Sequence, residues 1–133
     1  MIKIIIFIIS IVFSCTVNAE MKHSHKLFNA TKPYPEIELT VEKDIMEGFN
    51  LRIVTRNFRF TPERVNKSNS PNEGHAHIYI NGEKIRQYSP YFHLSRKLLH
   101  KNKNEIRVSL HANDHSHFVV DMEKIQKTIF VQK

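Results

Sequence analysis

Along most of the chain, apolar and polar residues alternate with a period of two, the spacing of strands that bury one face and expose the other. Ile37, Leu39 and Val41 alternate with Glu36, Glu38 and Thr40, and Phe49, Leu51 and Ile53 alternate with Asn50 and Arg52 as far as about Arg56. Two strands are expected there, separated by a turn at Asp44 to Gly48. Phe58 and Phe60 repeat the alternation until Pro62, which has no backbone donor and either ends that run or places it at a sheet edge. The clearest stretch is Gly74-His75-Ala76-His77-Ile78-Tyr79-Ile80-Asn81-Gly82, with His75, His77 and Tyr79 on one face and Ala76, Ile78 and Ile80 on the other. Asn81-Gly82 tolerates the two positive φ angles of a type I′ turn, so Glu83 to Tyr88 is the returning arm of a hairpin.

After Ser89-Pro90, Tyr91 to Leu94 is short and extended, and Ser95 to Lys103 reads as a helical turn or a long loop. Glu105 to Leu110 alternates again, with Ile106, Val108 and Leu110 inward; Phe118 to Val120 is briefly apolar, and Thr128 to Val131 makes a last strand. His111 to His117 is polar and turn-like, with His100 and His111 expected at the surface. No stretch carries the apolar period of a long amphipathic helix. About seven short strands predict an all-β fold, a single β-sandwich of immunoglobulin-like or cupredoxin-like type over residues 36–133.

The N-terminus breaks the alternation. Lys3 precedes an apolar run from Ile4 to Phe13, and Val17-Asn18-Ala19 offers a signal-peptidase site, so a cleaved export signal is expected at 1–19, with a periplasmic or secreted location. That run is shorter than the roughly 20 residues of a membrane span, and no later stretch approaches that length, so no transmembrane segment is expected in the mature chain. Cys15, the only cysteine, lies inside the signal. Phe13 fits a lipoprotein site poorly, and cleavage after Ala19 would leave no thiol for a disulfide, a nucleophile or a metal. Residues 20–35 are expected to be a mobile tail, in which Met21, His23 and His25 offer loose metal ligands at most. The net charge of +7 is spread over every segment, which suits a solvated basic surface better than a nucleic-acid stripe.

No Gly-rich phosphate loop, Ser-centred elbow or helical zincin pair is present, so the motifs do not suggest an enzyme. The chemical signal is histidine, of which the chain has 9. His75 and His77, two apart on one strand face, can reach a single ion through nitrogen–metal bonds of about 2.0 Å, and imidazole suits Cu(II) and Zn(II). His93 and His115, beside loops at strand ends, are the best candidates to complete a set of His75, His77, His93 and His115, with Asp114 as an outer partner that orients an imidazole. The alternative is a solvated histidine face in which Asp114 caps a turn. Ligating imidazoles must be neutral, so affinity is expected to fall below about pH 6.5.

Gly74 to Gly82, Tyr88-Ser89-Pro90-Tyr91-Phe92-His93-Leu94 and Val108 to His115 together resemble a group of small exported bacterial proteins of largely uncharacterised role, whose pattern runs close to GHAHLYVNG, YGPWYHL and LNANDH. The likeness covers Phe58 to Val131. Ser89 stands where the group has Gly, Phe92 where Tyr is common, and His111 where it has Asn. Phe58-Arg59-Phe60-Thr61-Pro62 is also similar to an early strand of cupredoxin-like domains. The resemblance implies a Greek-key β-sandwich and an envelope location, without an activity; a blue-copper centre would need a cysteine thiolate. Two readings stand open: an exported, non-enzymatic domain holding copper or zinc, and an immunoglobulin-like adaptor that binds an envelope protein through a sheet face or edge.

Overall fold

The computed structural model describes residues 26–133; the expected export signal, Cys15, Met21, His23 and His25 lie outside the described residues. Among the described residues, eleven strands form two sheets: β1 (Leu27–Asn29), β2 (Glu36–Lys43), β3 (Phe49–Arg56), β4 (Arg59–Phe60), β5 (Glu73–Ile80), β6 (Glu83–Gln87), β7 (Tyr91–Leu94), β8 (Lys103–Ala112), β9 (His117–Val120), β10 (Glu123–Lys124) and β11 (Gln126–Gln132). Among the described residues no helix is long and apolar enough to cross a membrane, and the helical segments are two short 3₁₀ turns, Pro62–Arg64 and Arg96–Leu98. The larger sheet is centred on β5 and β8, with β6 and β4 along the far side of β5, and β11 and β9 along the far side of β8. β2, β3 and β7 make the smaller sheet. The architecture is the expected all-β sandwich, with more strands than the seven or so anticipated, among them the short β1, β4 and β10, while β2, β8 and β11 run longer than expected.

The core lies between the sheets, because the alternation places one apolar stripe of each on the inside. Ala76, Ile78 and Ile80 of β5 sit opposite Leu110, Val108 and Ile106 of β8, and this stripe packs with Ile37, Leu51, Ile53 and Leu94 of the smaller sheet. All of these are buried. Phe118 closes one end and takes Phe28 and Phe58 edge-on at 5.4 and 5.7 Å between ring centres. That contact explains the main departure from expectation at the N-terminal end. Leu27 to Asn29, expected within a mobile tail, is a strand pairing in parallel with β9, since Phe28 has an aromatic partner to bury against.

Two glycines have positional work. Asn81 and Gly82 adopt φ of 51° and 88° and join β5 to β6 with Ile80 opposite Glu83, as a type I′ hairpin requires. Gly74 has an ordinary φ, but a Cβ there would collide with the His111 carbonyl oxygen, so only glycine lets β5 approach β8 at this point. The close approach sits one residue from His75.

Candidate metal centre

The strand register assembles the histidines. Side chains directly opposite one another in an antiparallel pair share a face, and His75 lies opposite His111, which in turn lies opposite His117. His77 is opposite Ser109 on one side and Arg86 on the other. His75, His77, His111 and His117 therefore occupy one patch on the face of the larger sheet away from the core, and all four are buried. The rings shield one another: His77 stacks on His111 at 3.7 Å between centres, His111 lies 4.1 Å from His117, and Tyr88 flanks His75 at 5.5 Å.

His115 reaches the same patch from the turn between β8 and β9. It holds φ of 68°, a left-handed conformation that is uncommon for residues other than glycine and is held here by the surrounding hydrogen bonds. His115 N–H donates to Ala112 O at 2.9 Å, and Ala112 N–H donates to Ser116 O at 2.8 Å. Asn66 N–H donates to Asn113 O at 2.8 Å, Asn113 Nδ2 donates to Ser68 O at 3.0 Å, and Asp114 N–H donates to Asn69 Oδ1 at 2.9 Å, which ties the turn to the 66–69 loop.

Within the patch, three ring nitrogens converge. His75 Nε2 lies 3.1 Å from His77 Nε2 and 2.9 Å from His115 Nδ1, and these three histidines form a group that could hold a metal ion. Hydrogen bonding fixes the tautomer of one of them. His115 Nε2–H donates to Asn66 Oδ1 at 2.7 Å, which leaves the Nδ1 lone pair directed at the cluster. His75 Nδ1, by contrast, is buried without a hydrogen-bond partner. His111 is satisfied in a different way: Nδ1–H donates to His115 O at 3.0 Å and Nε2 accepts from Ser109 Oγ–H at 2.8 Å, so neither nitrogen is offered to an ion.

Burial, and then mutual repulsion among the imidazoles and nearby cations, keeps the cluster uncharged. The His75 pKa falls to about 4 through burial, with His115 and Arg86 adding to it. That of His77 falls to about 3 through burial, then through His75 and Lys84. His111 is held far below the ordinary range, mainly by burial. His115 is lowered by burial, Arg86 and Lys84, against an opposing pull from Asp114. Neutral imidazole is the form that binds a metal.

Of the four histidines expected as ligands, the structure brings His75, His77 and His115 together and leaves His93 elsewhere. His93 is on β7 in the smaller sheet, opposite Asn50, where its Nε2 lies 3.0 Å from Glu47 Oε1 and its Nδ1 3.3 Å from Asn50 Oδ1. It lines an open groove of about 570 Å³ over the outer face of that sheet, with Arg52 and Tyr91. Position beside a loop was a poor guide to proximity, because β7 pairs with β3 and not with the histidine strands. Asp114 also differs from expectation as an outer partner. Its Oδ1 accepts from Ser116 N–H at 3.0 Å and its Oδ2 pairs with Lys26 at 2.6 Å, so it caps the turn, and Asn66 orients the His115 ring instead. His111, expected at the surface, is buried, whereas His100 is exposed as anticipated. The sequence reasoning missed Asn66 altogether. Pairing residues 74–80 against 106–112 in antiparallel register would have revealed His111, but nothing local marks Asn66.

No family model matches the chain, and no match was found among curated proteins or solved structures.

Proposed function

We propose that this is an exported, non-enzymatic domain that holds a divalent transition-metal ion, Cu(II) or Zn(II), through His75 Nε2, His77 Nε2 and His115 Nδ1. The observation that carries the reading is the convergence of those nitrogens at 2.9 and 3.1 Å. Two nitrogens about 2.0–2.1 Å from one ion, with an angle near 90–110° between them, stand about 2.8–3.4 Å apart. The donor set is three imidazoles, which suits copper and zinc and is unsuited to magnesium or calcium.

The apo cluster also has an energetic cost that favours this reading. Three neutral imidazole nitrogens facing one another cannot all be satisfied by the protons they carry, and His75 Nδ1 is orphaned besides. An ion accepts all three lone pairs. The hydrogen-bonded turn presents His115 in advance, so little ordering entropy is lost on binding.

Calorimetric titration of residues 26–133 or the longer mature chain with Cu(II) and Zn(II) tests the proposal. One equivalent should bind tightly to the wild type and to His93→Ala, and not to a His75→Ala/His77→Ala variant. Equal binding by wild type and the double variant would refute the site.

A further inference from the structure

The charges around the three histidines are mostly positive, Asp114 beside His115 being the one carboxylate among the described residues that acts on them. Arg86 lies directly opposite His77 across the β5–β6 pair, and Lys84 lies opposite Tyr79 on the same face. Arg107, on β8, sits over the Tyr79 ring at 4.4 Å. Arg86 and Lys84 are exposed and make no ion pair among the described residues. The metal-binding group itself contains no carboxylate, and the nearest acidic side chain in the turn, Asp114, is committed to Lys26 and Ser116. A divalent ion held by three neutral ligands beside these cations would carry its full charge uncompensated in a largely dehydrated place, which is costly.

We propose that the ion binds together with a small carboxylate-type anion, of the formate or carbonate class, which spans the ion and the Arg86 guanidinium. This inference rests on the metal reading above. A planar oxyanion has two oxygens: one supplies a further ligand to the ion, and the other accepts from the guanidinium fork. A three-nitrogen set leaves room for such a ligand, since zinc and copper take at least four. His115 is only half-buried and Arg86 is exposed, so the approach lies between the 113–116 turn and β6. Metal and anion then bind cooperatively, and the coupling is reciprocal: each raises the affinity of the other by the same factor.

The test uses the Cu(II)-loaded protein titrated with sodium formate at constant ionic strength, with sodium perchlorate as the balancing salt, read by electron paramagnetic resonance and visible absorption. The expected result is a saturable change in the copper spectrum, and tighter Cu(II) binding in formate than in perchlorate by chelator competition. Arg86→Gln should weaken formate binding roughly tenfold, the scale of one charge-assisted hydrogen bond. The same variant should bind Cu(II) in perchlorate as well as the wild type or better, because a repelling charge has gone. The anion proposal is overturned by a copper spectrum that formate leaves unchanged, by a formate affinity that survives Arg86→Gln, or by weaker Cu(II) binding of that variant in perchlorate alone. His115→Ala in perchlorate separates the two levels. If it binds Cu(II) like the wild type, the metal reading fails and the anion falls with it; if it loses Cu(II) while formate has no effect on the wild type, only the anion proposal is lost.

Discussion

A histidine buried without a charge partner costs stability as soon as the solution favours its protonated form. The His75 and His77 pKa values lie near 4 and 3, below the ordinary 6.5, so the native state holds fewer protons than the unfolded chain between these limits. Stability from this source is therefore complete above about pH 6.5 and is lost progressively as pH falls towards 4 and 3. Denaturant midpoints of the apo protein should fall on acidification over that window, by an amount on the order of a few kcal/mol. His75→Ala/His77→Ala should make the dependence shallower, with His111 still contributing, which equilibrium unfolding at several pH values measures. Metal affinity follows the folded values, which are lowered for all three ligands, so it should begin to decline at a lower pH than the roughly 6.5 that free imidazole chemistry alone suggests. Asn66 offers a second check at this scale. Asn66→Gly keeps the positive φ of 64° and removes the acceptor for His115 Nε2–H, so metal affinity should drop about 10–100-fold, while Asn66→Asp should retain it. Chelator competition reads both.

At the level of strands and turns, most of the frame was legible because local patterns and the global fold agree. Ile37, Leu39 and Val41, the 49–53 alternation, and the Asn81-Gly82 hairpin all follow from period-two spacing and positive-φ preference, which need no knowledge of partners. What stayed hidden depends on pairing between distant segments. His111 is buried because β8 brings it opposite His75, and His93 is excluded because β7 pairs with β3. Leu27 to Asn29 is ordered because Phe28 meets Phe118. Composition in each stretch was a fair guide to its shape and a poor guide to its neighbours. The two glycines of the central hairpin give contrasting expectations. Gly82→Ala should cost on the order of 1 kcal/mol through backbone strain and leave metal binding intact, because a Cβ there meets nothing. Gly74→Ala forces β5 away from β8 beside His75, so it should destabilise more and weaken the metal site as well; thermal unfolding with and without metal distinguishes them.

For the molecule as a whole, the fold spends one sheet face on a core and the other on imidazoles. The core face, with Ala76, Ile78, Ile106, Val108 and Leu110 fully buried, supplies the stability that lets the second face hold unsatisfied polar groups. A ligand that binds only the folded state stabilises it by mass action, about 2.7 kcal/mol at 100 times its dissociation constant, so metal at that excess should raise Tm by on the order of 10 °C. The central claim is that three imidazoles, from β5 and the 113–116 turn, share one ion. X-ray absorption spectroscopy of the copper- or zinc-loaded protein measures this most directly. The expected spectrum shows three imidazole nitrogens at about 2.0 Å, reduced to two in His115→Ala and unchanged in His93→Ala. A count of one imidazole, or an identical spectrum after the His115 substitution, would contradict the account.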